Sequence, residues 1–524
     1  MVQRVWQGAD ERDDAPPRLS VRVAAVVGLV ALLASLAAGH LVAGFTGPQS
    51  SPYLAVGNSA VDLSPAWLTD FAKNAFGTAN KLVLLAGMAI VLALLALLAG
   101  VLSRRRPAGG IALIVGLGVV GMAAVLTRPE VSPLAVLAPL SSIAAGALVF
   151  GWLHRVALEG VADSAEAAFD TSRRRFVVSS LGVVAGAGVA ATVGQWLTGP
   201  DVESSRRAVG GFLPLRRAPA IPAGADFAAN GTPTLITANR DFYTIHTALV
   251  VPRLRAEEWE LRLHGMVSRP LTLTFDQLRA RPLVERTLTL ACVSNPVGGD
   301  LISTANFIGV DLAELLDDAG VAPGAEQLFS TSHDGFTAGT LIDVVRERER
   351  GAMLAIGMNG EPLPVEHGFP VRMVVPGLYG FVSATKWLTD LEVTTWAERE
   401  AYWIPRGWAR EAPVKTQSRI DAPGAGDTVE SGTVLVAGTA WAPHTGIDSV
   451  QVRVDGGGWH RAELATEVSV DTWRMWRAEV EVPPDEHRIS CRATDRAGVT
   501  QTGNPQPVTP DGATGWHTVT VTAR

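Results

Sequence analysis

Cysteine is nearly absent from this chain: its 524 residues include only Cys292 and Cys491. Iron–sulfur clusters held by protein thiolates are therefore excluded, and no C-x-x-C-H is present to attach a haem. Electrons leaving any cofactor must pass to another protein or a small carrier. An exported domain could join the two cysteines in a disulfide, at the cost of both thiolates as ligands. An excess of positive charge is also missing. Lys and Arg total 44 against 51 for Asp and Glu, a net charge of −7, which gives no reason for a nucleic-acid partner. Paired histidines are lacking within the apolar runs. Only His40 and His154 fall there, and at about 1.5 Å rise per residue they lie most of a membrane thickness apart, too far to share an iron.

Long apolar runs, by contrast, are plentiful. Mean hydropathy is +0.23, and the excess lies in the first two hundred residues. Runs long enough to cross a bilayer fall at Val21–Phe45, Leu82–Leu102, Ile111–Leu126, Leu134–Leu153 and Phe176–Leu197. The third is short, and Gly109 and Gly110 are placed to extend it. Arg4, Arg12, Arg18 and Arg22 precede the first run, Arg104–Arg106 follow the second, and Arg155 and Arg173–Arg175 lie between the fourth and fifth. The alternate loops hold only Lys73, Lys81 and Arg128. The positive-inside rule then puts the N-terminus in the cytoplasm and everything beyond the fifth run outside, as a multi-pass protein of the cell membrane contacting lipid. After Ser64-Pro65, residues Leu68, Phe71, Ala72, Ala75 and Phe76 have helical spacing, either for an interfacial helix or for a loop helix packed on the bundle. Ser172-Arg173-Arg174-Arg175-Phe176, leading into a mildly apolar Gly/Ala-rich run, looks like an internal twin-arginine signal, which exports domains already folded.

The rest of the chain divides by pattern. Residues 1–200 form a helical membrane domain, and 201–230, rich in Pro, Ala, Gly and Arg, read as a linker. Residues 231–410 alternate strand-like stretches such as Trp259–Leu263 and Val371–Val375 with helical patterns at Thr274–Ala280, Asp311–Ala319 and Leu341–Glu349, a mixed α/β region. From 411 to 524 short strands recur between turns, as in Thr433–Val436, Val450–Val454, Ala478–Val482 and His517–Val521, an antiparallel β-sandwich. Cys491 alternates into the core of that sandwich.

Chemistry concentrates in Thr287–Gly320. The strand-like Leu288-Thr289-Leu290 delivers Cys292 into a polar loop, Ser294-Asn295, followed by Gly298-Gly299. A thiolate at a strand end, facing a glycine loop, suits a soft metal whose bulky ligand needs backbone N–H groups nearby. Three further motifs follow in order: Asn239-Arg240-Asp241-Phe242-Tyr243; His367-Gly368-Phe369-Pro370-Val371-Arg372 running into Val374-Val375-Pro376-Gly377; and Tyr379-Gly380-Phe381 with Ser383-Ala384-Thr385-Lys386-Trp387. With the cysteine loop, these resemble the sulfite oxidase family of molybdenum enzymes. The last motif runs one residue longer than the usual form, which shifts its register across Ser383–Lys386. Gly438–Trp441, Val454–Gly457 and Asp495–Gly498 are similar to the immunoglobulin-like dimerisation domain of that family.

The resemblance implies a molybdenum–molybdopterin cofactor ligated by Cys292, with Asn239, Phe242, Tyr243, Ser332, His367, Arg372, Ser383, Ala384 and Lys386 holding its pterin and phosphate. It implies oxygen-atom transfer on a small substrate, an external electron partner (a cytochrome or a membrane redox protein) and a homodimer. Sulfite oxidases line the substrate site with arginines, whereas here Pro296 and Val297 follow Asn295. Ile245 and His246 follow Thr244, and Ala442–Gly446 carries no arginine. A small dianion needs concentrated positive charge, so poor affinity for sulfite is expected unless Arg240 and His246 point inward. Two alternatives stay open: a sulfoxide reductase of the same family, and a non-catalytic envelope receptor or scaffold built on the same fold.

Overall fold

The computed structural model describes residues 18–65, 68, 71–72, 75–76, 79–128, 133–162, 166–197 and 201–524. Arg4, Arg12, Lys73 and the intervening positions of the helix expected after Ser64-Pro65 lie outside the described residues. Leu68, Phe71, Ala72, Ala75 and Phe76 are helical. The chain divides into two compact units, Met1–Gly199 and Pro200–Arg524.

The first unit is helical: α1 (Val21–Thr46), α2 (Pro52–Leu63), α3 (Asn80–Leu102), α4 (Ala108–Leu126), α5 (Leu137–Ala162) and α6 (Glu166–Leu197). Five of these helices are long and apolar enough to cross a membrane, matching the five runs. The third begins at Ala108, so Gly109 and Gly110 do extend it. Small residues decide how α1 meets α3. A Cβ on Gly28 would lie 2.0 Å from the Ala96 carbonyl oxygen, and one on Gly100 would lie 2.0 Å from that of Ala24. Two four-residue small-residue steps thus let the backbones touch. His154 Nε2 meets the Ser103 carbonyl at 2.6 Å.

In the second unit α7 (Val202–Val209) opens the stretch expected to be a linker. It is a packed element: Asp201 caps it by accepting the Ser204 N–H at 2.8 Å, Val202 and Val209 are buried, and Arg206 donates to the Pro362 and Leu363 carbonyls. Its amphipathic spacing was hidden by the loop-like composition that follows.

The mixed region carries β1 (Glu260–Gly265), β2 (Leu271–Thr274), β3 (Leu283–Ala291), β4 (Ile302–Asp311), β5 (Gln327–Ser332), β6 (Thr337–Leu341), β7 (Met353–Met358), β8 (Glu361–Pro362), β9 (Arg372–Val374) and β10 (Leu388–Thr394). One sheet runs β3-β4-β7-β8 with β9 also on β7, and the other runs β2-β1-β10-β5-β6. Its helices are α8 (Phe275–Arg279), α9 (Leu312–Ala319), α10 (Ile342–Arg346) and α11 (Gly380–Ser383). Thr274 starts α8 with a reciprocal capping box to Gln277, and Asp311 caps α9 through the Glu314 N–H. The two sheets share one core, with Leu288, Leu290, Phe307 and Ile356 from one and Leu261, Leu263, Leu328 and Val393 from the other. β7 is buried along its whole length, so its residues are apolar without alternation.

The last region holds β11 (Gln417–Ala422), β12 (Thr428–Val429), β13 (Gly432–Trp441), β14 (Ile447–Val454), β15 (His460–Arg461), β16 (Glu463–Leu464), β17 (Arg474–Val482), β18 (Asp485–Asp495) and β19 (Thr518–Ala523). They form two sheets, β11-β13-β17-β16 and β12-β19-β18-β14-β15. Alternate side chains of both meet in a core of Val436, Trp476, Val450, Val452, Ile489 and Val521. Cys491 is fully buried there, accepting from the Ser418 hydroxyl at 3.3 Å, and burial pushes its thiol up to about 12. Cys292 and Cys491 form no disulfide.

Candidate functional site

β3 ends at Ala291, and its apolar face, Leu288 and Leu290, anchors the residue that follows in the core. Cys292 is itself buried. Its N–H donates to the Leu301 carbonyl at 2.9 Å, and its own carbonyl accepts the Asn295 N–H at 3.1 Å. The buried Asn295 closes the loop by accepting the Leu301 N–H on Oδ1 at 3.0 Å. The chain thus turns tightly and re-enters the sheet as β4.

The two glycines have a reason the sequence did not disclose. Gly298 has φ +78°, and a Cβ there would sit 2.1 Å from Cδ2 of His517, at the edge of β19. A Cβ on Gly299 would lie 2.3 Å from Asn295 Oδ1. Gly298 therefore lets the loop pack against the β-sandwich, and Gly299 lets the loop close on Asn295 and Pro296. Other bonds join the same parts: Arg419 donates to the Gly299 carbonyl at 2.7 Å, the Trp473 N–H to Thr289 Oγ1 at 2.7 Å, and the Trp473 indole to the Leu235 carbonyl at 2.9 Å.

The second and third motifs meet on each other. His367 is buried and donates from Nε2 to the Asn239 carbonyl at 3.0 Å. That bond fixes the tautomer and leaves Nδ1 as an acceptor, and among the described residues Nδ1 has no partner. Burial lowers the His367 pKa to about 4, helped by the Lys386 and Arg372 charges. Arg372 is buried too, donating from Nη1 to the His367 carbonyl at 3.2 Å and from Nη2 to that of Ala384 at 3.5 Å. Its Nε is buried without a partner among the described residues, and burial lowers its pKa to about 10. A buried cation of this kind, short of one acceptor, is costly as it stands and suits an anionic ligand. Phe242 joins the group with its ring 5.4 Å from those of both Tyr243 and His367.

Tyr243 links this cluster to the cysteine. Burial drives its hydroxyl pKa well upward, the Cys292 charge adds to that, and Arg372 opposes it. Tyr379 is pushed up to about 12, mainly by burial, with the Asp511 and then the Cys292 charge contributing. Both phenols hence keep their protons in the neighbourhood of Cys292.

The remaining expected residues make humbler bonds. The Ser332 hydroxyl accepts the Asp334 N–H at 3.5 Å, and its neighbour His333 donates to the Trp387 carbonyl. Ser383 donates to the Leu378 and Tyr379 carbonyls within the α11 turn, so its hydroxyl is committed to backbone. Ala384 offers the carbonyl that Arg372 uses, and Lys386 donates to the Glu366 carbonyl at 2.9 Å. The Asn239 amide is engaged by Glu361, Met358 and Asn359. Asn239 thus shapes the entry turn with its side chain while its carbonyl sets His367. Phe307, 5.8 Å beneath the Arg372 guanidinium and edge-on to Phe242, was missed, because a buried strand phenylalanine carries no sequence signal beyond core.

The groups that could rebuild an anion pocket do not gather. The Arg240 side chain is 87% exposed and pairs with Asp241 at 3.3 Å. His246 bonds the Ala248 carbonyl and sets its ring edge-on to Trp387, while Ile245 is exposed. Val297 sits against Gly515 of the sandwich. In the loop after β13, His444 pairs with Asp471 at 3.3 Å, which raises its pKa.

Comparison with known proteins agrees with this geometry. Residues 248–403 match the family described as oxidoreductase molybdopterin binding domain. Mitochondrial sulfite oxidase of Rattus norvegicus is 31% identical over 325 residues, 53% of this chain and 59% of the rat protein, so the chain spans well under two thirds of that relative. Sulfite oxidase of Gallus gallus is 31% identical over 321 residues, covering 52% of this chain and 69% of its own length. An uncharacterized oxidoreductase of Bacillus subtilis (strain 168), YuiH, is 30% identical over 167 residues, 32% of this chain and 80% of its own. With the chicken enzyme at 31% identity and 69% of its length covered, the chain belongs to the sulfite oxidase family of molybdopterin-dependent oxidoreductases.

Proposed function

We propose that this chain is a membrane-anchored, extracytoplasmic enzyme that moves an oxygen atom to or from a small sulfur-containing substrate. One observation carries the reading: a buried cysteine at a strand end shares its surroundings with a buried arginine and histidine, each with one unpartnered polar atom. Molybdopterin offers what those atoms lack, anionic phosphate oxygens for Arg372 Nε and N–H donors for His367 Nδ1. Bound there, molybdenum supplies two-electron oxygen-atom transfer. The chain supplies the rest. Cys292 gives a soft thiolate ligand, Arg372 and Lys386 hold negative charge, and Phe242 and Phe307 fix the arginine from its apolar side. Tyr243 keeps its proton and so offers a hydrogen-bond donor near the sulfur.

The substrate we favour is neutral, such as a sulfoxide acted on in the reducing direction, since the Arg240 side chain is exposed and Ile245, Pro296 and Val297 occupy the sequence positions where the family resemblance expects arginines to grip a dianion. Each missing charge-assisted hydrogen bond is worth roughly 1.5–3 kcal/mol, so two weaken sulfite binding about a hundredfold or more. The five apolar helices would cross the membrane with the N-terminus inside. The two-sheet domain, read as immunoglobulin-like, would pair two copies, and a cytochrome or membrane redox protein would exchange electrons with the site.

Molybdenum analysis of the full-length protein from a cofactor-competent host tests the core of this reading. Near-stoichiometric metal is expected, with turnover lost in Cys292→Ser because a hard alkoxide replaces the thiolate. Metal-free wild-type protein would instead favour a binding scaffold. Steady-state kinetics then separate the substrates. A millimolar Michaelis constant for sulfite beside efficient dye-linked sulfoxide reduction is expected, and a micromolar constant for sulfite would overturn the neutral substrate.

A further inference from the structure

The outer face of the β14–β18–β19 sheet is built unlike the rest of the sandwich surface. Arg453 stands opposite Ser490 and Gln451 opposite Arg492, while Ser490 pairs with Thr518 on the next strand. Since Val452, Ile489 and Cys491 point into the core, these polar residues point out. A cavity of about 540 Å³ opens on this face, lined by Arg453, Arg488, Ser490, Trp516 and Thr518, and by Val297 from the cysteine loop.

Arg453 is held in an unusual way. Its guanidinium lies 4.6 Å from the ring centroids of both Trp459 and Trp516, which pack edge to face at 5.1 Å. Arg492 sits over Trp459 at 4.2 Å. Stacking engages the faces of a guanidinium and leaves its in-plane N–H donors for another group. No carboxylate takes them among the described residues, and the buried Nε has no hydrogen-bond partner there. The acidic residue at the rim is already committed: Asp455 accepts the Arg488 N–H at 2.8 Å and pairs with His487 Nδ1 at 2.5 Å. Two hydroxyls, Ser490 Oγ and Thr518 Oγ1, share a hydrogen bond of 2.9 Å, and the pair keeps one O–H to donate.

We propose that this cavity is a binding site for a small multivalent oxyanion, of the sulfate or phosphate type, gripped by Arg453 and Arg488. It is separate from the cofactor cradle yet touches the same loop. Trp516 lies between Gly515, which meets Val297, and His517, which packs on Gly298. The site thus rests on the wall that supports Cys292.

Calorimetric titration of the detergent-solubilised full chain with sodium sulfate, and separately with sodium phosphate, at low ionic strength tests this. Saturable binding is expected to weaken by about tenfold or more in Arg453→Met, which keeps an apolar stem between the rings, and to fall also in Arg488→Gln. Catalytic turnover should not change in either variant. A tighter response to sulfate than to phosphate, or the reverse, names the preferred anion. Absence of saturable binding overturns the proposal. So does binding that both variants leave unchanged, because the anion would then sit elsewhere, for example beside Cys292. Should Arg453→Met fail to fold, Arg488→Gln alone decides: unchanged affinity overturns the site.

Discussion

At His367 one ring nitrogen is satisfied and, among the described residues, the other is not; that asymmetry can be measured. Its folded pKa is lowered to about 4 from an ordinary 6.5. Between those values the unfolded chain takes up a proton that the folded chain refuses, so stability falls as pH drops from about 6.5 and levels off below about 4. The full effect is on the order of 3 kcal/mol. Cofactor-free protein should therefore melt at markedly lower temperature at pH 5 than at pH 7.5, and His367→Gln should remove most of that difference. Loaded protein should lose less, since phosphate charge near the imidazole favours its protonated form. Equal pH dependence with and without cofactor would place the phosphate away from His367. The histidine and Arg372 were legible because HGFPVR puts a cation and an imidazole five positions apart in a recognisable string. The roles of Ser383 and Asn239 were not. Their hydroxyl and amide are taken up by nearby backbone and side chains, and sequence does not record which partner a polar group finds.

Among elements, β3 and the loop after it present Cys292, and Gly298 is where that loop can be disturbed without altering the cysteine itself. Its φ of +78° strains any other residue, and the space for a Cβ is filled by the His517 ring. Gly298→Ala should cost roughly 1–3 kcal/mol of stability and lower retained molybdenum, while leaving Arg372 and its bonds intact. Metal content and melting temperature on one preparation check this; wild-type values for both would show that the wedge is not needed. Helix ends were readable where caps were strong, as at Thr274 and Asp311. α7 was not, because an eight-residue helix beside Pro- and Gly-rich chain leaves too little periodicity to stand out. Nor was the contact of α1 with α3 foreseen. Gly28 and Gly100 read as ordinary residues of apolar runs until the two backbones are seen touching.

For the molecule as a whole, order along the chain was plainer than anything else: apolar runs, mixed α/β, then short strands. Hydropathy and turn spacing are properties of the chain itself, whereas docking between regions depends on distant partners. The direction of export is a statement at this scale. Replacing Arg173 and Arg174 with lysine keeps the positive charge before the last apolar helix but removes the pair that a twin-arginine receptor would read. We expect the region after Asp201 to become protected from protease added to spheroplasts; equal cleavage of both forms would mean that export ignores the arginines.

The His517 wedge has a consequence in time. The loop that presents Cys292 is completed by residues near the opposite end of the chain, and the Trp473 indole reaches back across 238 positions to Leu235. A nascent chain that has not reached His517 has Cys292 in hand but no wall behind it. Completion of the loop must therefore wait until His517 has been synthesised, and a chain broken off before β19 should reach the quality-control proteases with the Cys292 loop unsupported.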